Sequence, residues 1–233
     1  MKKIIGIFLI MLLPFVVKAE ECNIVNNNGV VIDCDYYNDL LIYYDAKLVD
    51  NFTQEEFDSF KNNDLNDVEI ESYTELPSRA FFQTTYKRIE IVKNGSFITM
   101  SLTWLRNPVV RSHDVFAARF TGSVAVNGNT VFRQFYTTSS GVVISTTASK
   151  KTFSNGFGYS FKLSSFSDME IFITYSITGS GKIYTSYQHA ITTTSLTDSK
   201  KYTLSSAGYG NVILFNSSVE SNYDNMSGVY ITV

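Results

Sequence analysis

From Phe81 onward, hydrophobic and polar positions alternate with a period of two, the pattern of strands that bury one face. The clearest stretch runs from Thr85 to Trp104 and contains Asn94-Gly95, a pair that tolerates the positive φ of a two-residue hairpin turn. That turn predicts Ile91 opposite Ile98, Ile89 opposite Met100 and Thr85 opposite Trp104. It collects the large apolar residues, except Tyr86, Val92 and Phe97, on one face. A second hairpin is predicted from Met169 to Ile191 around Gly179-Ser180-Gly181, pairing Ile177 with Ile183, Ile173 with Tyr187 and Ile171 with His189. Further strands are expected at Val115 to Val126, Thr130 to Tyr136, Phe157 to Leu163, Val212 to Phe215 and Gly228 to Val233. Turn signals stand at Asn127-Gly128 and Asn155-Gly156, and the last strand should build the C-terminus into a sheet. About ten short strands separated by Gly and Asn turns predict a mainly β fold, an antiparallel β-sandwich of jelly-roll-like kind, with a closed barrel as the alternative.

The N-terminal third reads differently. Thr53-Gln54-Glu55-Glu56 has capping-box spacing, and Phe52, Phe57 and Phe60 fall near one stripe, predicting a helix of about ten residues. Asn26 to Gly29 reads as a turn, with short strands expected at Val30 to Ile32 and Leu40 to Tyr44. Met1 to Ala19 has the layout of a cleaved secretory signal: Lys2-Lys3, an apolar run from Ile4 to Val17, then Val17-Lys18-Ala19 before the cut. That run reaches only about 21 Å as a helix, short of a bilayer core of roughly 30 Å, so a membrane anchor is disfavoured. Glu20-Glu21 stand where a lipoprotein signal before Cys22 wants small residues. These readings divide the chain into a signal over 1–19, an N-terminal segment over 20–76 and a β-sandwich domain over 77–233, with no transmembrane span after cleavage.

Composition then excludes classes: 44% hydrophobic with 18% charged is neither a disordered chain nor a basic nucleic-acid module. The net charge of -3 is a cancellation. Residues 20–75 hold fifteen acids against Lys47 and Lys61, a balance of -13, whereas residues 76–233 hold seven acids against fourteen bases, a balance of +7. Either the acidic segment lies on the basic body, or that body faces an anionic partner such as a cell-wall polymer, an acidic glycan or lipid headgroups.

Export makes Cys22 and Cys34 candidates for a disulfide, and two cysteines with no nearby histidine do not make a zinc site. The chain has two histidines. His189 is expected to be a hydrogen-bonded core residue. His113 falls in the stretch Arg106 to Asp114, read as a loop, where Arg106, Arg111, His113 and Arg119 are the candidate anion-binding groups, with Asp114 orienting the His113 ring. A plain solvated turn is the competing reading of that loop. Ser112-His113-Asp114 cannot form a catalytic relay, since adjacent strand residues point to opposite faces. No nucleophile elbow, metalloprotease helix or phosphate loop occurs, and neither metal nor cofactor is implied. Carboxylate pairs for glycoside hydrolysis remain open among Glu90, Asp114, Asp168, Glu170, Asp198, Glu220 and Asp224. The acidic runs Asp33-Cys34-Asp35 and Asp64 to Glu71 lack calcium-loop spacing.

Tyr36-Tyr37, Tyr43-Tyr44 and Tyr184 with Tyr187 put one ring of each pair off a core face, suited to stacking on sugars or to cross-strand pairing. The Ser/Thr-rich run Thr137 to Ser154 has something of a membrane-inserting hairpin, but Val142-Val143-Ile144 break its alternation, and an exposed strand is the plainer expectation.

At Ser101-Leu102-Thr103-Trp104, Arg111-Ser112-His113-Asp114-Val115, Tyr187-Gln188-His189-Ala190 and Tyr223 to Val229, the chain resembles a loose set of uncharacterised secreted proteins of Gram-positive bacteria, over roughly residues 84 to 233. The resemblance implies export and carries nothing on mechanism. The expected function is a secreted, non-catalytic binding module for an anionic or glycan ligand, with a glycan hydrolase and a pore-forming protein as alternatives.

Overall fold

The computed structural model describes residues 22–43, 46–61, 79–206, 212–224, 226 and 228–233. The signal expected over 1–19 lies outside them. The chain divides into two compact units, residues 1–53 and 54–233.

In the first unit, β1 (Asn23–Val25) and β2 (Val31–Asp33) pair antiparallel around the expected Asn-rich turn. Asn26 organises that turn. Its Oδ1 accepts from the backbone N–H groups of Asn28 and Val30, both at 2.9 Å, and its Nδ2 donates to the Phe52 carbonyl at 2.7 Å. Cys22 and Cys34 form a disulfide across the hairpin base. The strand expected at Leu40 to Tyr44 is instead the end of α1 (Cys34–Tyr43). Asp33 decides this, because its Oδ1 accepts from the Asp35 and Tyr36 N–H groups at 2.9 and 3.2 Å and so caps a helix that a short apolar run alone cannot reveal. A short α2 (Ala46–Val49) follows. Tyr37 donates to Asp50 at 2.7 Å, and the carboxylate with partial burial pushes the phenol up to about 12.

The second unit opens with the helix expected after Thr53, α3 (Gln54–Lys61). It is otherwise mainly β and antiparallel. One sheet takes β3 (Arg79–Gln83), β4 (Lys87–Asn94), β5 (Phe97–Trp104), β11 (Ser167–Thr178), β7 (Ala125–Thr138) and β8 (Gly141–Ser145) in that spatial order. The other takes β15 (Val229–Thr232), β12 (Lys182–Gln188), β6 (His113–Phe120), β10 (Gly156–Lys162) and β9 (Ser149–Phe153). Neither sheet closes on itself. The helix α4 (Leu196–Ser199) and a small ribbon of β13 (Tyr202–Leu204) with β14 (Ile213–Phe215) complete the unit.

The first predicted hairpin exists with its register moved by two residues: Ile91 faces Met100 and Ile89 faces Leu102, around Gly95-Ser96. Gly95 has φ +55° and neither Asn94 nor Ser96 has a positive φ, so the turn carries its glycine first, as type II′ requires. A shift of two preserves the face of every side chain, and the apolar set therefore stays buried. The second predicted hairpin does not exist. β11 lies between β5 and β7 in one sheet, whereas β12 lies between β15 and β6 in the other. Gly179-Ser180-Gly181 is a crossover that packs against a second crossover at residues 121–123. A Cβ on Gly179 would meet the Ser123 carbonyl oxygen at 2.2 Å and one on Gly181 the Thr121 carbonyl oxygen at 2.1 Å. The glycines thus serve close backbone approach, not a hairpin turn. Asn127-Gly128 is no turn either, but part of an irregularity inside the single strand β7, where the pairing with β11 jumps from Thr130 to Asn127. Val233 exchanges two backbone hydrogen bonds with Gly181, each 2.9 Å, so the C-terminus is built into the sheet as expected.

One apolar cluster draws on both sheets, with Ile89, Met100, Ile171 and Ile173 from one and Phe116, Phe161 and Ile183 from the other. A smaller cluster of Val115, Ala117, Tyr184, Tyr202, Val212 and Ile213 covers the opposite face of β6 and β12. The acidic N-terminal segment contributes directly to this unit through α3. Glu56, 4% exposed, makes a bidentate pair with Arg133 of β7 at 2.6 and 2.8 Å and also accepts from the Thr174 hydroxyl.

Candidate functional site

The four candidate anion-binding residues singled out by sequence do not converge. Arg106 is exposed, its guanidinium 5.8 Å from the Tyr86 ring centre. Arg119, near the far end of β6, is buried and lies 4.2 Å from the Tyr184 ring centre. Arg111 and His113 do share a site. His113 is the first residue of β6 and not part of a loop, because β6 begins earlier than its apolar run; its Nδ1 bonds the Thr194 carbonyl at 2.9 Å. That carbonyl only accepts, so the proton sits on Nδ1.

Asp114 does not orient His113. The two are neighbours on a strand and face opposite ways. Asp114 is fully buried, with Nδ1 of His189 at 2.9 and 3.1 Å from its two oxygens, the Ala190 N–H at 2.8 Å and the Tyr187 hydroxyl donating to Oδ2. The group extends to Asp224, which accepts from the His189 N–H at 2.8 Å and pairs with Lys87. The Lys87 ammonium in turn lies 5.0 Å from the Tyr187 ring centre and 5.4 Å from that of Trp104. His189 packs edge-on to Trp104 with ring centres 4.8 Å apart. Burial pushes the Asp114 carboxyl above its ordinary range, with hydrogen bonds from His189 and Tyr187 opposing. The Tyr187 phenol is pushed well up by burial and then by the adjacent Asp114. His189 is thus the hydrogen-bonded core residue expected, with Asp114 in place of Ile171 as its neighbour. Tyr184 and Tyr187 are both buried, which removes the exposed-ring reading, and Tyr184 stacks on Tyr230, its partner across β12 and β15, at 5.3 Å, which is the cross-strand pairing alternative.

A cleft of about 600 Å³ lies beside Arg111 and His113, within the range of small-ligand sites. Its walls come from β7 and β8 of one sheet, β9 and β10 of the other, and the loop after β10. Lys162 pairs directly with His113 across β10 and β6, so two basic side chains stand side by side. Arg111 donates through Nη1 to the carbonyls of Ser164 and Phe166 at 2.6 and 2.5 Å, which shapes the loop carrying Phe166. Phe166 is 45% exposed and stacks on Tyr136 with centres 5.4 Å apart and planes 6° apart. Among the described residues no carboxylate lines the cleft; serine and threonine hydroxyls complete it.

Gln134 is the residue that pattern reading missed. It sits on β7 between Phe132 and Tyr136 on the inward face, 4% exposed, and its Oε1 has no hydrogen-bond partner among the described residues. A polar residue at an inward position of an alternating strand is the signal that would have found it. Lys162 was equally legible as the first base after an apolar strand, but nothing in the sequence joins it to His113.

Among the described residues, no three or more His, Cys, Asp or Glu side chains group to hold a metal ion, and no helix is long and apolar enough to cross a membrane. Thr137 to Ser154 does not form one hairpin: β8 pairs with β7 and β9 with β10. No protein-family model and no curated protein matches the chain.

Proposed function

We propose that this protein is exported and acts as a non-catalytic module that binds an anionic or glycan ligand in the cleft beside Arg111 and His113. The observation that carries this reading is the lining: three basic side chains, a stacked aromatic pair and many hydroxyls, with no carboxylate among the described residues. Arginine and lysine supply charge-assisted bonds to an acid group, and an exposed ring suits the apolar face of a sugar. A hydrolase needs two carboxylates flanking a bond. None of the described acids lines the cleft: Asp114 and Asp224 are held in the buried network, Glu90 pairs with Arg88 and Asp198 with Lys201. The leader-like residues 1–19 and the Cys22–Cys34 bond support export. The apolar cluster shared by the two sheets supports a jelly-roll-like sandwich as the scaffold. Arg106 and Arg119 have no part in this site.

The test is binding to a panel of acidic and neutral glycans and purified cell wall by calorimetry and pull-down. Lys162→Ala with His113→Ala should abolish capture while the protein stays folded. Capture unchanged by the double substitution overturns the reading.

A further inference from the structure

Resting on that reading, we infer that the cleft takes a sugar bearing a carboxylate, oriented with a neutral hydroxyl inward on Gln134 and the acid group outward on Lys162. Gln134 would then be a specificity-determining residue.

The orientation follows from what each group can accept or give. Oε1 of Gln134 is an acceptor, nearly sealed from solvent and unpaired. Leaving such an atom without a donor is unfavourable, so its retention inside a cleft calls for a partner supplied from outside. Other buried side-chain atoms lack partners in the β-unit, including Nδ2 of Asn94 and Oγ1 of Thr99, but Gln134 is the one among them that lines this cleft. An ionised carboxylate or phosphate offers only acceptors at neutral pH and cannot satisfy it. A sugar hydroxyl can. The basic groups line the same cleft, and Lys162 is exposed and pairs with His113 across β10 and β6. The Phe166 ring, partly exposed and held flat on Tyr136, lines the same cleft and offers a platform for ring carbons. A polyphosphate chain uses the cations alone, and a neutral sugar uses Gln134 and Phe166 alone. A carboxylated sugar uses all three.

The experiment compares calorimetric affinities for a uronic-acid oligosaccharide, its carboxyl-reduced neutral counterpart and a glycerol-phosphate polymer, using the wild type, Lys162→Ala, Gln134→Leu and Phe166→Ala. The acid oligosaccharide should bind at least about tenfold more tightly than its reduced form, and Lys162→Ala should erase that difference. Gln134→Leu should weaken both oligosaccharides about tenfold while its resistance to denaturant is equal to or above that of the wild type, because an unpaired polar atom has been removed. Gln134→Met gives the same comparison if the leucine variant does not fold. Equal affinity for acid and reduced forms overturns the carboxylate assignment and leaves the glycan-binding reading standing. Preference for the phosphate polymer, with Gln134→Leu binding it as the wild type does, overturns both the sugar and the orientation. Loss of stability with affinity retained in Gln134→Leu or Gln134→Met shows a structural glutamine. No binding to any glycan or wall preparation removes the underlying function itself.

Discussion

Two polar regions lie on either side of the first residues of β6, and they are built on opposite principles. On one side, Asp114, His189, Tyr187, Asp224 and Lys87 form a closed network in which both oxygens of Asp114 are engaged and the Lys87 ammonium is covered by aromatic rings. On the other, His113, Lys162 and Arg111 bring basic groups together, and among the described residues no carboxylate lines the cleft and no group pairs with Oε1 of Gln134. The closed network resembles a catalytic pair more than the cleft does, since it joins a histidine to a buried acid. Both oxygens of Asp114 are engaged by groups of the chain itself, so this buried acid is spent on holding β6 to the segment around His189. The region with an unanswered acceptor is the one to which the proposed binding is assigned.

The sharpest way to break this contrast is Asp114→Ala. It removes the acceptor for Tyr187, His189 and the Ala190 N–H together, and should cost about 3–5 kcal/mol in denaturant unfolding with glycan affinity unchanged in the folded fraction. Lys87→Met should cost about 1–3 kcal/mol, as Asp224 loses its cation but keeps the His189 N–H and some solvent. Titration separates the regions further. The folded-state pKa of Asp114 lies above its ordinary 3.8, so the stability this proton confers is full below that value and is lost as pH rises through the folded value. Asp114→Asn should therefore remove part of the decline in unfolding free energy from the carboxylate range toward neutrality, measured by denaturant titration at several pH values. An unchanged slope would show that burial does not govern this acid. The smallest stability change belongs to the cleft: Lys162→Ala should shift unfolding by no more than about 0.5 kcal/mol while reducing capture of acidic glycans. A large loss of stability there would place Lys162 with the structural group.

Much of the β-unit was legible from period two alone. The face of each residue from Lys87 to Trp104 came out right although the register did not, because a two-residue slip leaves alternation intact. The helix after Thr53 was legible from its capping spacing. The helix over Leu40 was not, since a five-residue apolar run has no period of its own and Asp33 acts from outside it. The candidate site was half legible. Arg111 and His113 stood out as basic residues near a strand start, whereas Arg119, six residues further along the same strand, lies buried against Tyr184. Gln134 carried only the mark of a polar residue at an inward strand position, and Phe166 carried none.

What the sequence determined by itself was the core face of the hairpin from Lys87 to Trp104, the pairing of its two cysteines, and the separation of acidic and basic residues, all consequences of side-chain type and near spacing. Which strand neighbours which was decided only in three dimensions. Gly179-Ser180-Gly181 fits a hairpin and a crossover equally well, and it became a crossover because β11 is flanked by β5 and β7 and because another backbone passes within contact of its glycines. The same holds for Asp114. Strand alternation excludes His113 as its partner, but only the pairing of β6 with β12 brings Tyr187 and His189 to it, since hydrogen-bond partners are chosen by distance in space, which local sequence does not encode.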